Sequence, residues 1–204
     1  AQWQAALRAV TYTNSSDAPN TSNRTISFQV NDGGLNSNTA TKTVSVAAVN
    51  DAPVVTTAGG TTAATEQVAV AIDPTVTVTD PDSATLASGT ISITGNFQAG
   101  QDVLALTVNA ATMGNISPSY NALTGVLTLT SAGGTATLAQ WQAAYRAVTY
   151  TNSSDTPNTS NRTISFQVND GALNSNIGTQ TVSVAAVNDA PVVTTSGGTT
   201  AATE

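Results

Sequence analysis

The chain contains a long stretch of itself twice. Ala1-Gln2-Trp3-Gln4-Ala5-Ala6 returns as Ala139-Gln140-Trp141-Gln142-Ala143-Ala144, an offset of 138 residues, and at that offset positions 1–66 overlay 139–204. The seven differences are Leu7/Tyr145, Ala18/Thr156, Gly34/Ala172, Thr39/Ile177, Ala40/Gly178, Lys42/Gln180 and Ala58/Ser196, and the other 59 of 66 positions match. Self-similarity at a fixed period requires a unit that can be chained to further copies of itself, so the sequence reads as a window on an array.

Val49-Asn50-Asp51-Ala52-Pro53 and Val187-Asn188-Asp189-Ala190-Pro191 are the best joints between units. Asn-Asp favours a turn, and Pro removes a donor from any ladder. Residues 52–189 then form one complete repeat, 1–51 the C-terminal part of a preceding repeat, and 190–204 the N-terminal strand of the next. The window is out of phase with its units and has neither an initiator Met nor a signal peptide, which is expected of a segment of something longer.

Within the unit the hydrophobic period is two. Val68/Val70/Ile72, Val76/Val78, Ile91/Ile93, Leu104/Leu106/Val108, Leu127/Leu129, Ile164/Phe166/Val168 and Val182/Val184 alternate with Thr, Ser, Ala or Gln. Seven or more such strands, separated by Gly, Asn and Asp turns, predict an all-β sandwich. One stretch breaks the period. Leu138, Trp141, Tyr145 and Val148 recur at three and four, predicting one short amphipathic helix per repeat that runs into a strand around Tyr150. The same spacing makes Trp3, Trp141, Tyr145 and Tyr150 core residues rather than sugar-stacking ones.

Composition narrows the function. With no His and no Cys, the usual zinc ligands, a Ser-His-Asp triad and thiol nucleophiles are absent, and disulfides cannot stiffen the chain. Five basic against twelve acidic residues, with formal net charge −7, argue against nucleic acid and anionic membrane surfaces as partners. No apolar run approaches the roughly 20 residues that span a bilayer. Only 8% of residues are charged while Thr, Ser, Ala, Val, Asn and Gly dominate, which fits an extracellular structural protein better than a cytosolic enzyme. Asn-x-Ser/Thr triplets such as Asn14-Ser15-Ser16 and Asn115-Ile116-Ser117 are read as polar loops, because they arise readily in such a composition.

The acidic residues, Asp17, Asp32, Asp51, Glu66, Asp73, Asp80, Asp82, Asp102, Asp155, Asp170, Asp189 and Glu204, fall at expected turns. Thr79-Asp80-Pro81-Asp82-Ser83 places two carboxylates on one turn stiffened by Pro, and Asn31-Asp32-Gly33 and Asn169-Asp170-Gly171 also end strands. Each Asp taken alone caps its own turn through the backbone. Carboxylates that converge instead repel, and a calcium ion, which takes 6–8 oxygen ligands, relieves that repulsion. A glycosidase pair needs its carboxyls on opposite sides of a sugar, so two on one tight turn suit a metal better than catalysis.

Phe28-Gln29-Val30-Asn31-Asp32-Gly33, Val44-Ser45-Val46 and Val49-Asn50-Asp51-Ala52-Pro53, with Val78-Thr79-Asp80-Pro81-Asp82-Ser83, resemble a cadherin domain end, its calcium-binding linker and the paired-Asp turn. Tyr120-Asn121-Ala122-Leu123-Thr124-Gly125-Val126-Leu127, the Ala-Gln-Trp-Gln helix and Thr149-Tyr150-Thr151-Asn152 resemble the cadherin-like (Ig-like) tandem repeats of giant bacterial surface adhesins, including the stalk domains of RTX-type adhesins. The resemblance covers the whole unit. It implies a calcium site at the first joint held by Asn50, Asp51, Asp80, Asp82 and Asp170, and one at the other end held by Glu66, Asn188 and Asp189, with Asp32 and Glu204 as repeat-shifted equivalents. The acidic Asp-Arg-Glu motif of cadherins is missing, so the expectation is one or two Ca²⁺ per joint. The function implied is a stalk or extension repeat of a large surface or secreted adhesin in which calcium stiffens the joints. The partners expected are neighbouring repeats of the same chain. Two other readings stay open: a subunit of an extracellular filament or sheath built by contacts between identical chains, and a module binding sugar or ice through Thr-rich strands such as Thr75/Thr77/Thr79.

Overall fold

A computed structural model describes residues 2–194 and 197–198. The chain is built mainly of β-strands with a few short helices. In order these are α1 (Gln2–Arg8), β1 (Arg24–Phe28), β2 (Ala40–Val44), β3 (Val54–Thr56), β4 (Thr61–Thr65), β5 (Val70–Ala71), β6 (Thr77–Thr79), β7 (Thr85–Leu86), β8 (Ser88–Gly95), β9 (Asp102–Ala105), α2 (Ala110–Met113), β10 (Ile116–Asn121), β11 (Val126–Ser131), β12 (Ala136–Thr137), α3 (Leu138–Arg146), β13 (Thr149–Asn152), β14 (Arg162–Asn169) and β15 (Gly178–Ala185).

Six strands form the main sheet in the order β10-β11-β8-β14-β15-β4. All pairs are antiparallel except the last, in which β4 lies parallel to β15 with Thr61 opposite Thr181 and Thr65 opposite Ala185. β4, the second strand after the first joint, therefore closes the edge beside the strand that leaves toward the second. At the other edge β10 carries Pro118, which edge positions tolerate. A three-stranded sheet, β5-β13-β9, and the pairs β3-β6 and β7-β12 complete the repeat.

The period-two pattern decides which face is buried. Ile91 pairs with Leu127 on one side and Phe166 on the other, and all three lie inside with Ile164, Val168, Val182 and Val184. Thr90, Ser92 and Thr94 alternate outward on β8. α3 runs from Leu138 to Arg146 and delivers Trp141, Ala144 and Tyr145 to the same core. Its start is fixed by a capping box: the Thr137 Oγ1 accepts from the Gln140 N–H at 3.3 Å, and the Gln140 Oε1 accepts from the Thr137 N–H at 2.9 Å. Its last turn carries Arg146, which complements the helix dipole and donates to the Val76 carbonyl at 2.9 Å. The helix runs into β13, where Tyr150 is buried, as its spacing predicts.

Three expected strands are shorter than their alternation suggests. β5 takes in Val70 but not Val68, which is exposed beside the positive-φ turn at Gln67. β6 begins after Val76, and β9 ends at Ala105, because Asn109 turns the chain into α2 by accepting from the Ala111 N–H. Residues 190–194 hold no regular element, and the rest of the strand expected there lies outside the described residues.

Residues 1–51 keep the local structure of their second copy. β1 and β2 pair from Arg24 with Val44 to Phe28 with Ala40, the register of Arg162 with Val182 to Phe166 with Gly178. Asn31 bridges Asn36 as Asn169 bridges Asn174. Residues 11–14, the counterpart of β13, form no strand, and burial differs too. Trp3 is 70% exposed and Tyr12 39%, whereas Trp141 and Tyr150 are at 0%. Trp3, expected in a core, lies exposed in this segment, where the described residues hold no counterpart of the half, 52–138, that covers Trp141.

Candidate metal centre

The first joint brings residues expected there together in pairs. The Asn50 Nδ2 donates to the Asp170 Oδ2 at 2.8 Å, and the Asp51 N–H donates to the Asp82 Oδ2 at 3.2 Å. Each bond reaches from the linker to a different loop of the following repeat. Asp170 is held in turn by the Ala172 and Leu173 N–H groups, the counterparts of the Gly34 and Leu35 groups that hold Asp32. The local Asx turn thus exists in both copies, and the contact across the joint forms at Asp170 alone of the two. Among the described residues Asp32 meets no second carboxylate.

On the paired-Asp turn, the Asp80 Oδ1 accepts from the Asp82 and Ser83 N–H groups at 3.0 and 2.7 Å. The Asp80 Oδ2 and Asp82 Oδ1 are both shielded from solvent and have no hydrogen-bond partner. Desolvation, with the neighbouring Asp82 carboxylate adding to it, outweighs the backbone donors and pushes the Asp80 carboxyl above its usual range. Asp170 goes the other way: burial raises it, but Asn50 and the backbone donors hold it below the usual value. Two orphaned carboxylate oxygens beside a linker that supplies amide and carbonyl groups form an oxygen-rich donor set of the chemical type that a hard cation takes. Among the described residues no three His, Cys, Asp or Glu side chains converge as a ready-made metal cluster, so amide or backbone oxygens would have to complete any coordination shell.

At the other end, Glu66 is 4% exposed. Its Oε1 accepts from the Val187 N–H at 2.6 Å, while its Oε2 is buried without a partner. The Asn188 side chain bonds locally to the Asp189 carbonyl, and among the described residues no hydrogen bond joins the Asn188 or Asp189 side chains to Glu66. Glu204 lies outside the described residues.

Two of the acidic residues expected at turns are interior. Asp73 is buried, and its carboxylate accepts from the Ala58 and Thr75 N–H groups and the Thr75 hydroxyl, which ties Thr75 into a turn rather than an exposed threonine row. Asp102 and Arg162 form a fully buried ion pair at 2.8 Å. Asp102 also accepts from the Tyr150 hydroxyl at 2.6 Å, the Asn152 Nδ2 at 2.7 Å and the Gln98 N–H at 2.8 Å. Burial raises the Asp102 carboxyl, and these donors, led by Arg162, overturn that and leave it below its usual value. The Thr149-Tyr150-Thr151-Asn152 stretch supplies two of the donors; nothing in the spacing of the sequence pairs Arg162 with Asp102, which lie 60 residues apart.

No known family pattern matches the chain. A stretch of 142 residues, 69% of the chain, is 35% identical to Halomucin of Haloquadratum walsbyi (strain DSM 16790 / HBSQ001). The chain spans about 2% of the length of Halomucin, which places that protein at thousands of residues. Among the described residues no helix is long and apolar enough to cross a membrane.

Proposed function

We propose that the chain is a stalk segment of a very large extracellular surface protein, built from tandem cadherin-like (Ig-like) sandwich repeats whose joints are stiffened by calcium. In this reading the main sheet and the smaller sheets are the two layers of the sandwich. Asn50, Asp51, Asp80, Asp82 and Asp170 hold the ion at the first joint, and Glu66 with Asn188 and Asp189 contributes at the second. Similarity to a protein of thousands of residues and the 138-residue period support an array. Neighbouring repeats are the partners, and no catalysis is assigned.

The observation that carries the calcium reading is the pair of orphaned oxygens, Asp80 Oδ2 and Asp82 Oδ1, facing no donor where the linker reaches Asp82 and Asp170. A cation there would neutralise the pair and bind the linker to the next repeat, so its binding free energy would favour one interdomain geometry. At free calcium a hundredfold above Kd the gain is about 2.7 kcal/mol per site. Thermal unfolding in millimolar Ca²⁺ and in chelator tests this. Calcium is expected to raise the midpoint, and Asp80→Ala/Asp82→Ala to abolish the rise. Equal midpoints with and without calcium would leave these residues as turn caps.

A second reading is a subunit of an extracellular filament or sheath built by contacts between identical chains. Micrographs showing single thin strands at high concentration would count against it.

A further inference from the structure

Four Asn-x-Ser/Thr triplets fall within residues 52–189, at Asn115, Asn152, Asn158 and Asn161. Composition explains why such triplets occur, and the fold sorts them. A sugar can be attached where the Asn Nδ2 is free, the hydroxyl residue two places on is open, and the segment is a surface loop. Asn115 fails, because its Nδ2 donates to the Ala132 carbonyl at 2.9 Å and to the Thr135 hydroxyl at 3.0 Å, and Ile116 after it is buried. Asn152 is buried and gives its Nδ2 to the Asp102 carboxylate. Asn161 is exposed, but Arg162 after it is fully buried on Asp102, and Thr163 already lies in β14 opposite Gly95. Presenting that triplet to an enzyme would pull Arg162 off its carboxylate.

Asn158-Thr159-Ser160 meets every requirement. All three residues are exposed and lie outside any strand or helix. The Asn158 Oδ1 accepts from the Ser160 N–H at 2.8 Å, a turn that folds Ser160 back toward the Asn158 amide. Among the described residues neither the Asn158 Nδ2 nor the Ser160 hydroxyl has a hydrogen-bond partner. Two anchors hold the turn: Pro157 is buried before it, and Arg162 donates to the Ser160 carbonyl after it. The repeat equivalent, Asn20-Thr21-Ser22, forms the same turn, with the Ser22 N–H donating to the Asn20 Oδ1 at 2.8 Å. The two copies control for different neighbours. Asn158 is exposed with residues 52–138 of its own repeat in place, and Asn20 is exposed with the following repeat in place, so neither neighbour covers the position.

We propose that Asn158, with its equivalent Asn20, is an N-glycosylation site. The donor is an oligosaccharide linked to a polyprenyl phosphate or diphosphate. The Asn158 Nδ2 forms a bond to the anomeric carbon and gives up one proton, the bond from that carbon to the phosphate oxygen breaks, and the lipid phosphate leaves with the electron pair. Placement gives the sugar its role. The Gln67 N–H donates to the Asn152 carbonyl at 2.7 Å, the Gln67 side chain donates to Asp155, and Glu66 beside it holds the Val187 N–H. Asn158 follows Asp155 by three residues, at most about 11 Å of chain. The glycan therefore stands near the end where the chain leaves the repeat, recurring at an offset of 138 residues, and its bulk keeps proteases and neighbouring chains off the joint. The inference rests on the extracellular location in the reading above and is independent of calcium.

Peptide mass spectrometry of the protein from the cells that produce it supplies the test. Trypsin cuts after Arg146 and Arg162, so one peptide carries Asn152, Asn158 and Asn161, and fragmentation that keeps the sugar attached assigns it among them. Cuts after Arg8 and Arg24 release the equivalent peptide around Asn20, which differs in mass through Ala18 in place of Thr156. The glycan is expected on Asn158 and Asn20, and Asn115, Asn152 and Asn161 are expected bare. Ser160→Ala should strip the sugar from the Asn158 peptide and leave the Asn20 peptide modified, while Ser160→Thr should keep both. Bare Asn158 in protein recovered from outside the cell, or a sugar on Asn152 or Asn161 in its place, overturns the proposal and leaves the stalk reading standing. Protein found only inside the cell overturns both.

Discussion

Replacing Asp102 by Ala removes the acceptor at the centre of the buried polar cluster. Four donors lose their partner at once: the Tyr150 hydroxyl, the Asn152 amide, the Arg162 Nε and the Gln98 N–H. Arg162 then remains buried with its charge uncompensated, holding the Ser160 carbonyl through Nη1, while its Nη2 has no partner even in the parent. Breaking a buried pair from one side costs about 3–5 kcal/mol, a large share of the roughly 5–15 kcal/mol that holds a domain together. The first copy supplies an internal control, because Arg24 bonds the Ser22 and Asn20 carbonyls and among the described residues meets no carboxylate. Urea unfolding followed by circular dichroism should show Asp102→Ala losing about 4 kcal/mol and Arg24→Met less than about 0.5. Asp102→Ala/Arg162→Met should recover part of the loss, since it removes the stranded charge. A loss under about 1 kcal/mol for Asp102→Ala, or a double variant costing the full sum, would refute the reasoning. The pH dependence has a definite sign. The Asp102 pKa lies below its usual 3.8 in the fold, so its stabilisation is complete above that value and is lost as pH falls through the lower folded pKa.

Asp80 should behave oppositely. Its folded pKa is raised, so ionisation costs the fold at neutral pH and the cost vanishes as pH falls below its usual 3.8. In chelator, Asp80→Asn should therefore raise the unfolding midpoint at pH 7 and leave it unchanged near pH 3; a variant less stable at pH 7 would show that the backbone bonds to Asp82 and Ser83 dominate. Gly89→Ala places a methyl into the Tyr145 hydroxyl and against the Gln167 carbonyl, and overpacking of this kind costs about 1–3 kcal/mol. Urea midpoints should show that loss shrinking in a Tyr145→Phe background, and an unchanged loss would place the strain at the backbone instead.

The strands whose alternation faces one core were legible from the sequence, and so was the helix, whose Trp141 and Tyr145 recur at helical spacing. The smaller pairs were not. β7 and β12 have two residues each and owe their existence to tertiary placement rather than to any period. The parallel pairing of β4 with β15 was equally hidden, because Thr61-Thr62-Ala63-Ala64-Thr65 has almost no apolar alternation and is fixed by the strand beside it. At the joint, the resemblance to cadherin linkers pointed to Asn50, Asp51, Asp80, Asp82 and Asp170, and the structure pairs Asn50 with Asp170 and Asp51 with Asp82. Asp102 was not, since an acid next to Gln101 looks like a turn until the fold brings Arg162 to it.

The two copies show what a sequence motif alone leaves undecided. Trp3 and Trp141 sit in two copies of one hexapeptide, on α1 and α3, yet one is mostly in water and the other is in the core. Arg24 and Arg162 hold the same backbone carbonyl of a Ser two residues earlier, yet Arg162 alone has a carboxylate. Local bonds repeat because they depend on a few neighbouring residues. Burial does not repeat, because it depends on the half of the unit that lies up to 138 residues away. A motif here gains its surroundings only from residues that the fold brings to it: Tyr145 from Gly89, Asn50 from Asp170 and Asp51 from Asp82.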